Sequence, residues 1–208
     1  MSLAKHIENE SVVFIKQKYE LAEIIINFET VNRYAIMDKG GNLLGMILER
    51  SGGFFGTVKR LFLRSHRGFE VDVIDKFSNP LLFLKRDFFF FFSDLFIYDQ
   101  ARKPIGSVHR RFSIIYKKYD LKDRFGKVFA TIESPFWRLW SFPVLDCGGL
   151  IKDAKITKRW GGILREVFTD TDTFMVDFGG GFSYDQRLVV LASSVSIDFD
   201  FFEENQNR

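Results

Sequence analysis

Ser183-Tyr184-Asp185-Gln186, followed by Arg187-Leu188-Val189-Val190-Leu191-Ala192-Ser193-Ser194-Val195, decides how this chain folds. The first four residues have the form of a capping box, with Ser183 as cap and Gln186 three positions on. From Arg187 to Phe202, apolar and small residues wrap nearly all round a helical projection. A helix without a clear polar face belongs in an interior. The expectation is a helix from Gln186 to Phe202, enclosed by strands, with its small residues letting the strands come close.

Upstream of that helix the period changes to that of strands and turns. Ala35-Ile36-Met37-Asp38 runs into Lys39-Gly40-Gly41-Asn42 and then Leu43-Leu44. The same pattern of apolar stretch, Asp, turn residues and apolar stretch returns around Asp75, Asp99, Asp123 and Asp146. An Asp at a strand end accepts hydrogen bonds from the backbone just ahead of it, while Gly or Asn tolerates the positive φ of a tight turn. Strands bounded by such turns at short, regular spacing form a sandwich or barrel. Alternation supports this, since Val128, Ala130 and Ile132 fall on one face of a strand. The fold class is therefore mainly β, a closed antiparallel sheet around a buried C-terminal helix. An irregular α+β domain with a few hairpins is the alternative.

Composition sets outer bounds. At 208 residues, 46% of them hydrophobic, the chain can build a substantial core. Aromatic residues make up 17%, including 26 Phe, which suits a pleated, half-buried surface. A net charge of +3 gives no reason to expect nucleic acid as a partner. The single cysteine, Cys147, excludes an intramolecular disulfide and a cysteine-built metal cage. Met1 to Glu10 lacks the apolar core of a secretory signal. The run from Leu188 to Ile197 is short of the roughly 20 apolar residues of a membrane span. The expected location is cytoplasmic, with any attachment peripheral at the inner membrane face.

The order of these elements resembles the phospholipid scramblase family, of the tubby-like superfamily with the plant LURP-one-related proteins. The resemblance is carried by Gln17-Lys18-Tyr19-Glu20-Leu21, by Lys155-Ile156-Thr157-Lys158-Arg159-Trp160 and by Ile197-Asp198-Phe199. Its most specific block is Gly162-Ile163-Leu164-Arg165-Glu166-Val167-Phe168-Thr169-Asp170-Thr171-Asp172. It implies a barrel of about twelve strands around the C-terminal helix. One domain over residues 16–204 is expected, with an N-terminal segment 1–15 and a polar tail 205–208. It also implies non-covalent phospholipid binding or scrambling, with an anionic phospholipid surface as partner. A soluble LURP-one-type interaction module, whose partner is a protein, is the other reading.

Candidate sites follow. By the resemblance, Asp170 and Asp172 are calcium ligands, but Phe174 and Gly181 stand where further carboxylates belong. Calcium takes six to eight oxygens, so such a site is weak. The same two residues also serve to shape the turn into the next strand. Phe88, Phe89, Phe90, Phe91 and Phe92 cannot all hide on one face of a strand. They are candidates for membrane contact, or for local packing under a cover. The resemblance places the family's acyl-bearing cysteines near this run. Basic clusters at Lys59-Arg60, Arg64 to Arg67, His109-Arg110-Arg111 and Lys117-Lys118 are read as headgroup contacts or as solvated faces balanced by Asp and Glu. His6, His66 and His109 lack zinc spacing. Cys147 has no identifiable base, and Gly179-Gly180-Gly181 lacks the rest of a P-loop. No enzyme and no cofactor beyond weak calcium is expected.

Overall fold

Short antiparallel strands joined by aspartate turns dominate the chain. The computed structural model describes residues 2–17, 30–50, 68–89, 92–138, 140–148, 154–158 and 173–202. The first half contains α1 (Leu3–Asn9), β1 (Val12–Gln17), β2 (Thr30–Met37), β3 (Leu43–Arg50), β4 (Phe69–Asp75), β5 (Pro80–Arg86) and β6 (Asp94–Asp99). The second contains β7 (Pro104–Arg111), β8 (Tyr116–Asp123), β9 (Val128–Pro135), β10 (Ser141–Asp146), β11 (Lys155–Lys158), β12 (Thr173–Asp177) and α2 (Tyr184–Phe201). Each strand pairs antiparallel with its sequence neighbour, and β1 pairs with β12. The twelve strands among the described residues thus close into a barrel, as expected. The segment set apart as 1–15 holds α1 and the start of β1.

Four aspartates build four copies of one turn. One carboxylate oxygen of Asp38 accepts from the N–H groups of Gly40 and Asn42, and Asp75 accepts from Phe77 and Asn79. Asp99 accepts from Ala101 and Lys103, and Asp123 from Phe125 and Lys127. All eight bonds measure 2.8–2.9 Å. The residue three places after each Asp has positive φ: Gly41, Ser78, Arg102 and Gly126. A register shift accompanies each turn. This is the three-residue hairpin with a left-handed residue and bulge. The bulge beside Lys122 explains one departure from simple alternation: Phe129, rather than Val128, joins the interior, where it meets Phe182 edge to face at 5.7 Å. Asp146 ends β10, with Cys147 exposed in the following turn, and residues 149–153 lie outside the described set.

The helix α2 fills the barrel. Its capping box is complete: Gln186 N–H donates to Ser183 Oγ (3.4 Å), and Ser183 N–H donates to Gln186 Oε1 (2.9 Å). Eighteen residues at 1.5 Å each make a rod of about 27 Å. Every residue from Leu188 to Asp200 is buried. Ser193 and Ser194 satisfy their hydroxyls by donating to the carbonyls of Val190 and Leu191. Close approach needs Gly106 on β7, where a Cβ would stand 2.3 Å from the Lys122 carbonyl oxygen and 2.8 Å from Val189. At the helix N-terminus, Arg187 Nη1 donates to the carbonyls of Ile7, Glu8 and Glu10 and so fastens α1 across this end of the barrel.

Two predictions come from the turns. Ser78 adopts φ +65° without being Gly, and a left-handed L-residue costs about 1–2 kcal/mol, partly offset by the extra unfolded-state entropy of Gly. Ser78→Gly is expected to raise urea-unfolding stability by up to about 1 kcal/mol. Gly126→Ala is expected to lower it by about 1 kcal/mol, since φ +78° is the only obstacle in open space. A loss of stability in Ser78→Gly, or a gain in Gly126→Ala, would count against the turn assignment. The second concerns acid. Burial pushes the Asp75 carboxyl up, but hydrogen bonds from the Asn79 side chain and the Asn79 and Phe77 N–H groups, aided by Lys76, outweigh it and hold the pKa below the usual value. A depressed carboxylate stabilises the fold above its unfolded pKa and loses that contribution as pH falls. Thermal midpoints are expected to drop below about pH 4, and less steeply in Asp75→Asn. Identical acid slopes for the two proteins would show that Asp75 contributes nothing.

Candidate membrane-facing site

Strand alternation gives the barrel two unlike ends. The aspartate turns, α1 and the start of α2 share one end. The connections leaving β5, β7 and β9 lie at the other, where α2 finishes: 87–93, 112–115 and 136–140. These three connections are neighbours along the rim because β5 to β10 are consecutive in the sheet.

Inside that end, α2 carries two carboxylates. Asp198 accepts from Tyr34 Oη on β2 (2.6 Å) and Lys158 Nζ on β11 (3.0 Å). Asp200 accepts from Arg86 Nη1 on β5 (2.7 Å) and Tyr119 Oη on β8 (2.7 Å), with Arg110 Nη1 on β7 at 3.7 Å. Residues two apart on a helix point about 200° apart, so the two clusters lie on opposite walls. Burial, then the Asp200 charge, pushes the Tyr119 phenol well above its usual pKa, which keeps it a donor. Aromatic rings surround the cations: Arg86 lies over Phe69 (4.4 Å) and Phe89 (5.1 Å), and Lys158 over Phe202 (4.0 Å).

Among the described residues, the rim carries exposed apolar side chains. Phe112, Ile114 and Trp137 are 74%, 81% and 71% exposed. Ile115, Tyr116, Phe136 and Trp140 are also exposed. Phe136 N–H donates to the Ile115 carbonyl (3.0 Å) and Trp137 packs on Tyr116, so two connections form one surface. Of the phenylalanine run, Phe88 and Phe92 are exposed on the third connection, while Phe89 is buried against Arg86. Phe90 and Phe91 lie outside the described residues, as do Asp170, Asp172, His66 and the basic clusters between Lys59 and Arg67. By contrast, Phe77 and Phe125 stand singly on hairpin tips at the opposite end.

Among the described residues, several basic side chains on the outer wall are paired. Arg111 pairs with Asp120 (3.3 Å), Lys118 with Glu133 (3.2 Å), His109 with Asp94 (2.5 Å) and Lys85 with Asp87 (3.2 Å). Such exposed pairs add little stability, and they keep the outward faces of β7, β8 and β9 polar, whereas on β1 to β4 and β12 the outward side carries an apolar cluster that includes Phe14, Met37, Met46, Leu48 and Met175. His6 is buried, with Nε2 3.3 Å from the Val12 carbonyl oxygen. Asp177 accepts from Gly179 N–H (3.0 Å) and shapes the entry to α2. Among the described residues, no helix is long and apolar enough to cross a membrane.

Sequence reasoning missed the roles of Asp198, Asp200 and Trp137. A pair of carboxylates inside an otherwise apolar helix was the available signal for the first two. For the rim, the signal was the recurrence of large apolar residues in alternate connections.

Removing Asp200 would leave Arg86 buried without its carboxylate, a change of about 3–5 kcal/mol. Asp200→Ala is expected to lose that much in urea unfolding. A loss under about 1 kcal/mol would mean that water already reaches Arg86.

Comparison with known proteins follows the same lines. The family model described as Scramblase matches residues 2–204. Altered inheritance rate of mitochondria protein 25 of Saccharomyces cerevisiae is 31% identical, over 99% of this chain and 75% of its own length. A phospholipid scramblase family protein of Schizosaccharomyces pombe is 24% identical, over 93% of this chain and 60% of its own. Phospholipid scramblase 1 of Homo sapiens is 26% identical, over 94% of this chain and 62% of its own. The chain thus spans about three fifths of the latter two relatives. No solved structure matches it.

Proposed function

Because the chain belongs to the scramblase family, we propose that it docks on phospholipid bilayers through the long-loop rim and promotes lipid scrambling there, without covalent chemistry. The observation that carries this reading is the contiguous apolar rim of Phe112, Ile114, Trp137 and their neighbours, since large exposed apolar patches mark interaction surfaces. Attachment is peripheral, on a cytoplasmic leaflet. The outward faces of β7, β8 and β9 carry Arg111, Asp120, Lys118 and Glu133, whereas a lipid-facing barrel wall is apolar.

Magnitudes favour insertion over charge. Burying each large apolar side chain contributes about 1.5–3 kcal/mol. A free basic residue near an anionic surface contributes about 1 kcal/mol, but Arg111 and Lys118 beside the rim are paired with Asp120 and Glu133. Anionic lipid is thus a partner without being a strict requirement. Calcium enters only through Asp170 and Asp172, as a weak site. A soluble interaction module with no lipid role would also use an apolar rim, and is less favoured because the family match and the relatives named as scramblases support a lipid role.

Flotation with phosphatidylcholine vesicles, with and without phosphatidylserine and calcium, tests the docking. Trp137→Ser combined with Ile114→Ser is expected to weaken binding at least tenfold at unchanged thermal midpoint. Phe88→Ser with Phe92→Ser should weaken it too, whereas Phe89→Ser should chiefly destabilise the fold. Scrambling is read from loss of protection of a labelled lipid against a membrane-impermeant reductant. Wild-type protein that floats with no vesicle would sink the lipid reading in favour of the interaction module.

A further inference from the structure

Lys117 opens β8 at the rim, one residue after exposed Tyr116, yet is only 4% exposed. The β7–β8 register explains why: Arg110 stands opposite Tyr119, so Tyr119, Lys117 and Arg110 all face the interior. The Lys117 ammonium group lies 5.0 Å from the centroids of Phe142 and Phe201. Its one polar neighbour among the described residues is the Arg138 carbonyl oxygen at 3.5 Å, the outer limit of a hydrogen bond. No carboxylate lies within salt-bridge distance of it among the described residues.

The local charges are unequal. Arg110 also sits 5.0 Å from the Phe201 centroid, so the two cationic groups are no more than about 10 Å apart. The carboxylate nearest to Arg110, Asp200, is already engaged by Arg86 and Tyr119, and Arg110 reaches it only at 3.7 Å. Asp198 is taken by Lys158 and Tyr34. Glu49, also buried at this end, lies on β3, nearly opposite in the circuit of strands. Burial alone lowers the Lys117 pKa. A buried ammonium group without its counter-ion is costly, and the cations with weak partners here gather beneath the rim.

We propose that Lys117 and Arg110, around the Phe201 ring, form a site for the phosphate group of a phospholipid headgroup whose chains lie on the apolar rim. The proposal rests on the membrane-facing reading of that rim and names what the rim recognises. Arginine and lysine are the usual donors to phosphate oxygens, Arg as a fork and Lys as a point charge. Phosphate is common to zwitterionic and anionic glycerophospholipids, so the site works without net lipid charge. Lys117 then contributes recognition at the expense of stability, because among the described residues no carboxylate pairs with it.

Titration calorimetry with full-length protein tests this, using dihexanoylphosphatidylcholine and dihexanoylphosphatidylserine below their micellar concentrations. Dihexanoylglycerol serves as the phosphate-free control, and inorganic phosphate as the lipid-free one. Both phospholipids are expected to bind at least tenfold more tightly than dihexanoylglycerol. Lys117→Met is expected to abolish that advantage while matching or exceeding the wild-type thermal midpoint, a combination that a merely structural lysine would not give. Arg110→Gln, at a partly exposed position, should weaken phospholipid binding by about threefold or more and covers the case in which Lys117→Met fails to fold. Lys117-dependent binding of inorganic phosphate as tight as that of the phospholipids would support the anion site while assigning it to free phosphate. Equal affinity for dihexanoylglycerol, or wild-type phospholipid binding by folded Lys117→Met, or by Arg110→Gln where the former is unfolded, overturns the proposal. The rim reading survives that result if Trp137→Ser with Ile114→Ser still abolishes flotation.

Discussion

Two aspartates inside an apolar helix set the rest of this structure. Asp198 and Asp200 point to opposite walls of the barrel, and each is held by one cation and one tyrosine hydroxyl within 3.0 Å. Apolar packing alone would hold α2 inside the sheet but would define its rotation and depth poorly, since its apolar residues run all round. The ion pairs add direction. A buried pair of this kind is weak evidence for net stability, because desolvation offsets most of the attraction. Its value lies in uniqueness. A helix turned by 100° or shifted by one residue would strand two carboxylates and two cations in the interior.

Fixing the helix fixes the difference between the two ends. Arg187 reaches three carbonyls at the end of α1 only when α2 enters at its observed depth, and that closes the end carrying the aspartate turns. At the far end the last turn of α2 brings Phe199, Phe201 and Phe202 among Arg86, Lys117 and Lys158. Cation–π contacts there place positive charge beside apolar surface without full hydration. One end is therefore a set of satisfied local turns, and the other is a mouth whose chemistry is suited to the boundary between water and lipid. The same antiparallel meander produces both, because alternate connections always emerge at opposite ends.

What was legible in the sequence was local. Each aspartate turn closes its bonds within four residues, so Asp38, Asp75, Asp99 and Asp123 announce their own geometry. The cap of α2 is equally local. The partners of Asp198 and Asp200 are not, lying 40 to 164 positions away, and nothing in the helix names them. Lys117 and Lys118 read as one basic cluster, yet adjacent strand residues face opposite sides, so one is buried and the other pairs with Glu133 on the outside. The rim was half visible. The phenylalanine run drew notice because it is continuous, and Phe88 and Phe92 are indeed exposed while Phe89 is not. Phe112, Ile114 and Trp137 form their surface only once strands bring three separate connections together.

The filled interior also decides where lipid can be handled. Passing a headgroup through the barrel would require α2 to leave, which exposes the main core and breaks both aspartate clusters. That amounts to the whole stability of an ordinary domain, about 5–15 kcal/mol. Seating the rim in a leaflet breaks nothing, and each large side chain that enters lipid contributes about 1.5–3 kcal/mol. The outward face of β7 to β9 offers no competing route, since its charged pairs would have to be desolvated. On the proposed reading, lipid is met at the mouth, where the fold can be disturbed at its loops without being opened. There the proposed site offers an apolar surface to acyl chains, with buried Lys117 and half-buried Arg110 each 5.0 Å from the Phe201 ring. A headgroup drawn toward those cations while its chains remain on the rim is already tilted out of its normal position in the leaflet.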